Sequence, residues 1–309
     1  MITIFSDPLF QEHITGPHPE CPARLAALAT VLKDYENHPL VTHQKSKAVA
    51  LDTLTQVHDA KYVAALEKFA QQGGGNWDRD TVVCPKSYQV ALHSAGAVVT
   101  AVDDVMTGKT ARALCLVRPP GHHALKASAM GFCLFNNIAV GAQHAISQHN
   151  LSRVLIVDWD VHHGNGTQDL FYDRGDIFFL SAHRSPFYPG TGEADETGTG
   201  QGIGATFNLP LNANTPARTY REKFLSLLET VAKKSRPELI LISAGFDAHY
   251  KDPIGGLGLD IDDFAWLTQQ VTTCAQAYCQ GKVVSVLEGG YNIQILPDCI
   301  DSHLKKLLI

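Results

Sequence analysis

Val154-Leu-Ile-Val-Asp-Trp-Asp-Val-His-His-Gly-Asn165 is the stretch that decides the fold. Its first four residues are apolar and mostly β-branched, with no polar residue alternating among them. That is how a strand buried on both faces reads. Reactive side chains follow at once. Asp158, Asp160 and His162 recur at every second position, and residues two apart share a side while the chain stays extended. A buried strand running into carboxylates and imidazoles places chemistry at its carboxyl end, where parallel α/β folds bind ligands.

The same arrangement repeats along the chain. Apolar runs at Ile2–Phe5, Ala113–Val117, Ile177–Ser181, Leu239–Ser243 and Val283–Leu287 join Val154–Val157 as candidate strands. Helix-length segments such as Tyr220–Lys234 and Ile261–Cys279 lie between several of them. This alternation predicts an α/β fold, a parallel sheet covered by helices on both faces. Polar motifs follow four of the strands: Arg118–His123, Asp158–Asn165, Gly245–Pro253 and Glu288–Asn292. No repeat or linker interrupts the pattern, so residues 1–309 read as one domain. Gly73–Gly75 and the Gly/Thr-rich stretch Gly190–Gly204 read as loops, the second close enough to a strand end to line a site.

Composition excludes several classes. The 309 residues carry a net charge of −6, with 45 % hydrophobic and 18 % charged residues, and no Lys/Arg block suggests nucleic-acid binding. No apolar run approaches the roughly 20 residues of a bilayer span, and the first residues do not read as a secretory signal. Seven cysteines without a CxxC pair suit reduced thiols in the cytoplasm, and the compact chain suits a bacterial enzyme.

Carboxylates and imidazoles at strand ends are the donors of a metal-assisted hydrolase, with three protein ligands and one open position. Asp160 and His162 are two candidates. The loop Ser243-Ala-Gly-Phe-Asp-Ala-His-Tyr-Lys-Asp-Pro253 offers both Asp247 and Asp252 as the third, and spacing does not choose between them.

These motifs, taken in order, resemble the zinc-dependent histone deacetylase family, its class II and bacterial amidohydrolase-like branch above all. The resemblance is carried by His18-Pro-Glu-Cys-Pro-Ala-Arg24, Arg118-Pro-Pro-Gly-His-His123, Gly131-Phe-Cys-Leu-Phe-Asn-Asn137, Asp158–Gln168, Tyr188–Gly192, Ser243–Pro253 and Glu288-Gly-Gly-Tyr-Asn292. It runs from about residue 5 to about residue 295. It implies a single three-layer αβα domain, shared with arginase, with a mostly parallel sheet of about eight strands. It also implies one zinc per chain, held by Asp160, His162 and Asp252, the last because it directly precedes Pro253. Asp247 is then a structural loop residue.

The resemblance further implies hydrolysis of an N-acyl-lysine amide by metal-activated water. His123 would serve as base and acid, oriented by Asn165. His122 would be oriented by Asp158 and be the more readily protonated of the pair, since a buried carboxylate raises imidazole basicity more than an amide does. Tyr291 would donate to the oxyanion. Phe132 and Tyr188 would wall the substrate channel, with Gly131 and Gly290 beside them. Arg24 would line an acetate pocket. Leu259 would stand where polyamine-specific members carry Glu, which weighs against an acetylated polyamine or other small N-acetyl amine as substrate. Structural K⁺ is implied at Asp158, Ser181 and Ala182, and a second at Phe171 and Ile177. An arginase-type dimanganese enzyme would need further bridging carboxylates, and a non-enzymatic acyl-lysine reader would normally have lost Tyr291 or a ligand.

The remaining histidines read as bland. His163 reads as structural; His58, His93, His144, His149 and His303 read as surface helix positions. Cys133 reads as a packing residue and Glu288 as a carboxylate that fixes backbone.

Overall fold

The computed structural model describes residues 1–309. Ten strands are formed: β1 (Ile2–Phe5), β2 (Val41–Gln44), β3 (Gly75–Asn76), β4 (Val82–Val83), β5 (Arg112–Cys115), β6 (Val154–Asp158), β7 (Ile177–Arg184), β8 (Thr206–Leu211), β9 (Leu239–Ala244) and β10 (Val283–Leu287). β3 and β4 make a small antiparallel ribbon. The other eight form one sheet in the order β2-β1-β5-β10-β9-β6-β7-β8, and every pairing in it is parallel. All six strands expected from the apolar runs are present. The two not expected, β2 and β8, are the edges of the sheet. Only Val41 of β2 is buried, and β8 carries Asn208 and Pro210, so neither presents the apolar run of a doubly covered strand.

Two groups of helices cover the sheet. Ser87–Met106 and Asn137–His149 pack on each other and against β5, β10, β6 and β9. Ala217–Ser235, Ile261–Cys279 and Leu296–Leu307 pack together over the opposite face. The helix Ile261–Cys279 has the predicted bounds. It starts at a capping box in which Asp260 and Asp263 each accept a backbone N–H at the first turn. Register then places the site. Asp158 lies level with Ser181 on one side and Ser243 on the other, so β6 and β9 end almost together while β7 runs on to Arg184 beside them.

Two histidines expected at the surface are core residues. His303 is fully buried, bonded to the Thr268 hydroxyl at 2.6 Å and the Ser285 hydroxyl at 2.8 Å. His58 links the Leu125 carbonyl to the Asn136 N–H. Helical periodicity does not reveal which face of a helix meets a second layer, and His303 sits on that covered face, while His58 lies in the bend before Ala60–Gln71. Burial drives both pKa values down, to about 3 for His303 and about 4 for His58. The unfolded chain therefore takes up protons first as pH falls below the ordinary histidine value near 6.5. These two rings add no pH dependence above pH 7 and lower stability between pH 6.5 and 4, each adding a slope of up to about 1.4 kcal/mol per pH unit. Denaturant midpoints across that range check this: His303→Gln should start lower but show a shallower slope. Equal slopes in both proteins would mean that His303 is protonated in the folded state.

Candidate active site

The carboxyl ends of β6 and β9 bring three donors together. Extension stops at Asp158, and the turn beyond it directs Asp160 and His162 into one volume with Asp247. His162 Nδ1 lies 3.0 Å from Asp160 Oδ1 and 3.2 Å from Asp247 Oδ2. Asp160 Oδ2 accepts the Gly289 N–H, and Asp247 Oδ1 accepts the Val161 N–H. Asp247 Oδ2 is buried with no hydrogen-bond partner. Burial and the neighbouring Asp160 charge push Asp247 up to about 7. Burial works against His162, yet the Asp160 and Asp247 carboxylates beside it raise it to about 9. Crowded carboxylates with an orphaned oxygen aimed at an imidazole nitrogen suit a divalent cation.

The third member is thus Asp247, and the expectation for Asp252 is corrected. Both Asp252 oxygens are taken by backbone: Oδ1 accepts the N–H groups of Ile254 and Gly255, Oδ2 those of Tyr291 and Asn292. Asp252 is the knot that ties the β9 loop to the Tyr291 turn. Its place before Pro253 marks a turn anchor, not a ligand.

The tandem histidines enter from the loop after β5. His122 Nδ1 is 2.9 Å from Asp158 Oδ2, and His123 Nδ1 is 2.6 Å from Asn165 Oδ1. Burial opposes charge on both rings. At His122 the Asp158 and Asp160 carboxylates prevail and raise it to about 10. His123 has no such partner and is held well below its ordinary value, with His122 and His162 adding to the effect. The loop is fixed by Glu288, which accepts the Gly121 and His122 N–H groups through Oε2 and the Ser243 hydroxyl through Oε1. Opposite them, the Tyr291 ring stands edge-on to Phe132 at 5.8 Å. Its phenol is raised well above 10 by burial, with Asp247 nearby.

Comparison with known proteins places this geometry. The histone deacetylase domain model matches residues 18–307. The chain belongs to the histone deacetylase family. It is 38 % identical to the histone deacetylase-like amidohydrolase of Pseudomonas aeruginosa over 249 residues, which covers 80 % of this chain and 66 % of that protein. It is 36 % identical to human polyamine deacetylase HDAC10, covering 99 % of this chain and 47 % of that one. The crystal structure of the HDA15 HD domain superposes with a TM-score of 0.93 at 35 % identity, over 99 % of this chain and 89 % of the other. The fold is the deacetylase–arginase α/β fold, and the chain is a hydrolase of this zinc-dependent family. No helix is long and apolar enough to cross a membrane.

Around this deacetylase centre the other expected residues divide. Phe132 takes φ 69°, and Gly131 before it lies so close to His123 that a Cβ would stand 2.5 Å from the ring. Tyr188 is 37 % exposed and edge-on to His123 at 5.2 Å, at the mouth. Gly290 takes φ 121°, which lets the chain turn Tyr291 inward. Arg24 is fully buried 5.0 Å from the Tyr291 ring, donating to the carbonyls of Gly290 and Glu288 and to the Glu20 carboxylate. It tethers the Tyr291 turn from behind. Leu259 is fully buried in the core, its backbone paired with Ala248 and Tyr250. The partly exposed apolar residue of that loop tied to the Tyr291 turn, through Asp252, is Ile254.

Phe187, which stacks on His162 at 5.1 Å and 15°, and Glu20, which neutralises Arg24 and Arg118, were not singled out in the sequence. The Tyr188 motif adjoins Phe187, and Glu20 lies inside the opening motif, so both were within reach of closer reading. His163 bonds to Thr191 and Gln168, away from the centre. Cys133 is buried against the Gly131 carbonyl, its thiol raised far above the ordinary range, which suits packing and not reactivity.

The two aspartates are separated by metal content. Asp247→Ala should lose zinc on dialysis. Asp252→Asn should keep one zinc per chain and lose turnover about 10–100-fold, the usual cost of a misplaced supporting group. Zinc loss in the second variant and not the first would return Asp252 to the metal.

Proposed function

We propose that this chain is a zinc-dependent deacylase that cleaves the amide of N-acyl-lysine in a peptide or protein. The observation that carries the reading is the meeting of three sets of groups: the orphaned Asp247 oxygen with Asp160 and His162, the two differently partnered histidines, and Tyr291 beside Phe132. Zinc held by Asp160, His162 and Asp247 supplies Lewis acidity, making water reactive near neutral pH.

The chain's own groups do the rest. His123 gives its Nδ1–H to Asn165, which leaves the Nε2 lone pair free to take a proton from water and return it to the leaving amine. His122, paired with Asp158, keeps positive charge beside that transfer. Tyr291 donates its hydroxyl as the acyl oxygen gains charge. Phe132 and Tyr188 exclude water from the methylenes of a lysine side chain, and Gly131 and Gly290 leave room for it. Arg24, behind the phenol, is assigned to the departing carboxylate. K⁺ is assigned to Asp158, Ser181 and Ala182, where the end of β6 lies level with Ser181 of β7, and a second ion to Phe171 and Ile177. The seven free cysteines suit a single catalytic domain working in a reducing, cytoplasmic compartment.

An acetylated polyamine is the second reading, and the mouth favours it in one respect. Asp80 and Asp78 lie close enough to Tyr188 to add to the upward shift that burial gives its phenol, so carboxylates stand near the entrance. The likeness to a protein named polyamine deacetylase points the same way. The apolar Ile254 points against it, because a second ammonium desolvated there would lack a counter-charge.

Tyr291→Phe should retain zinc and lower turnover on acetyl-lysine peptides by roughly 10²–10³-fold, the scale of one lost oxyanion donor. Unchanged turnover would assign the oxyanion to another group. A panel of acetyl-, propionyl- and crotonyl-lysine peptides beside N-acetylated polyamines decides the substrate. Wild type should prefer the peptides, and Ile254→Glu should move preference toward polyamines in a salt-sensitive way. A wild-type enzyme far faster on acetylated polyamines makes the second reading the correct one.

A further inference from the structure

A second cluster of metal-type donors lies at the other edge of the sheet. The helices Ser87–Met106 and Asn137–His149 end where β5 and β6 are about to begin, opposite the edge that carries the active site. Asp103 lies near the end of the first helix, and His144 and His149 in the last turns of the second. His144 Nε2 and His149 Nε2 each lie 2.7 Å from the same Asp103 oxygen, Oδ1. The rings are 5.7 Å apart at 75°, so their nitrogens converge from two directions. Positions five apart on a regular helix would diverge. Here His149 is the last helical residue, and Asn150 after it takes the left-handed conformation, φ 55° and ψ 34°.

Two imidazole nitrogens converge on one carboxylate oxygen. For both contacts to be bonds, both rings must carry their proton on Nε2. In either tautomer the Nδ1 of His144, in a side chain 10 % exposed, has no partner, so Nε2 is the only nitrogen of that ring in use. The opposite tautomers would aim two lone pairs at a carboxylate oxygen. Asp103 has no lysine or arginine partner; its charge is met by these imidazoles only, while adjacent Asp104 takes Lys109. A cation between the three atoms uses both Nε2 lone pairs and the carboxylate charge at once.

We propose that Asp103, His144 and His149 form a second site for a first-row divalent transition metal, zinc by preference. Two imidazoles and one carboxylate are the borderline donor set such ions take, and an all-oxygen ion such as Mg²⁺ or Ca²⁺ is excluded by it. Bonds of 2.0–2.1 Å in a tetrahedral site put ligands roughly 3.3 Å apart, so the donors must spread by about half an ångström. Asp103 is 46 % exposed and His149 sits in the terminal turn, so both have the freedom to do this. The imidazoles are rooted in the helix layer and the carboxylate faces water, which leaves the fourth position to solvent. The ion clasps the ends of two neighbouring helices and sits across the sheet from the reacting atoms, so its role is stabilising and not catalytic.

The test uses zinc-loaded protein titrated with further Zn²⁺, and Co²⁺ as a visible-absorption probe. Wild type should bind a second equivalent per chain, Co²⁺ should give tetrahedral d–d bands, and saturating zinc should raise Tm on the order of 2–5 °C. Asp103→Asn and His149→Gln should each abolish the second equivalent and the Tm rise, while keeping the first equivalent and deacylase turnover. Asp247→Ala should show the converse, keeping only the equivalent that His149→Gln removes, so the two sites are counted separately. Saturation of folded wild type at the catalytic equivalent alone, or a second equivalent that survives both variants, overturns the proposal.

Discussion

Four carboxylates, those of Asp158, Asp160, Asp247 and Glu288, are buried to within 1 % at the carboxyl edge of the sheet, and the arrangement of the site follows from the need to satisfy them. Charge taken out of water is costly unless each oxygen finds a donor. For three of them the donors are backbone N–H groups from loops that belong to other strands, while Asp158 takes the Asp160 N–H of its own loop and the His122 ring from the loop after β5. Asp160, after β6, holds Gly289 after β10. Asp247, after β9, holds Val161 after β6. Glu288, after β10, holds Gly121 and His122 after β5. Each carboxylate therefore splices two loops, and four loops become one body without a disulfide. The oxygen left over, Asp247 Oδ2, points at the imidazole where a cation belongs.

The same constraint explains why two adjacent histidines differ. They share a backbone and their rings lie 4.0 Å apart at 43°, so only their far partners separate them. Asp158 gives one ring a full negative charge and Asn165 gives the other a neutral oxygen. A charged ring beside a neutral one is a division of labour between electrostatics and proton transfer, set by residues more than thirty positions away in sequence.

Much of this was legible in the chain. Doubly buried strands leave an unbroken apolar run, and the polar motifs after them mark the working edge; six of eight sheet strands and the deacetylase motifs were readable on that basis. What was not legible has particular causes. β2 and β8 are covered on fewer sides, so their patterns are mixed. His303 sits on a helix between layers and His58 in a short connection between two helices, where burial depends on the neighbour and not on periodicity. Leu259 and Ile254 are five residues apart on one irregular loop, and only its path sends one into the core and leaves the other partly exposed beside the Tyr291 turn.

Asp247 and Asp252 show most clearly where sequence reading stops. They are the same residue type, on the same loop, within the same motif, and both are required for the local structure. Donor geometry distinguishes them. Asp252 faces two tight turns whose N–H groups fill both of its oxygens, which ends its capacity to bind anything else. Asp247 spends one oxygen on Val161 and keeps the other free. A carboxylate is available to a metal only to the extent that the backbone has not already claimed it. Tyr291 depends on the claimed one, through its N–H, as the metal cluster depends on the free one. The two aspartates thus hold the two halves of a single reaction site at a fixed separation, one by what it has left to give and the other by what it has already given.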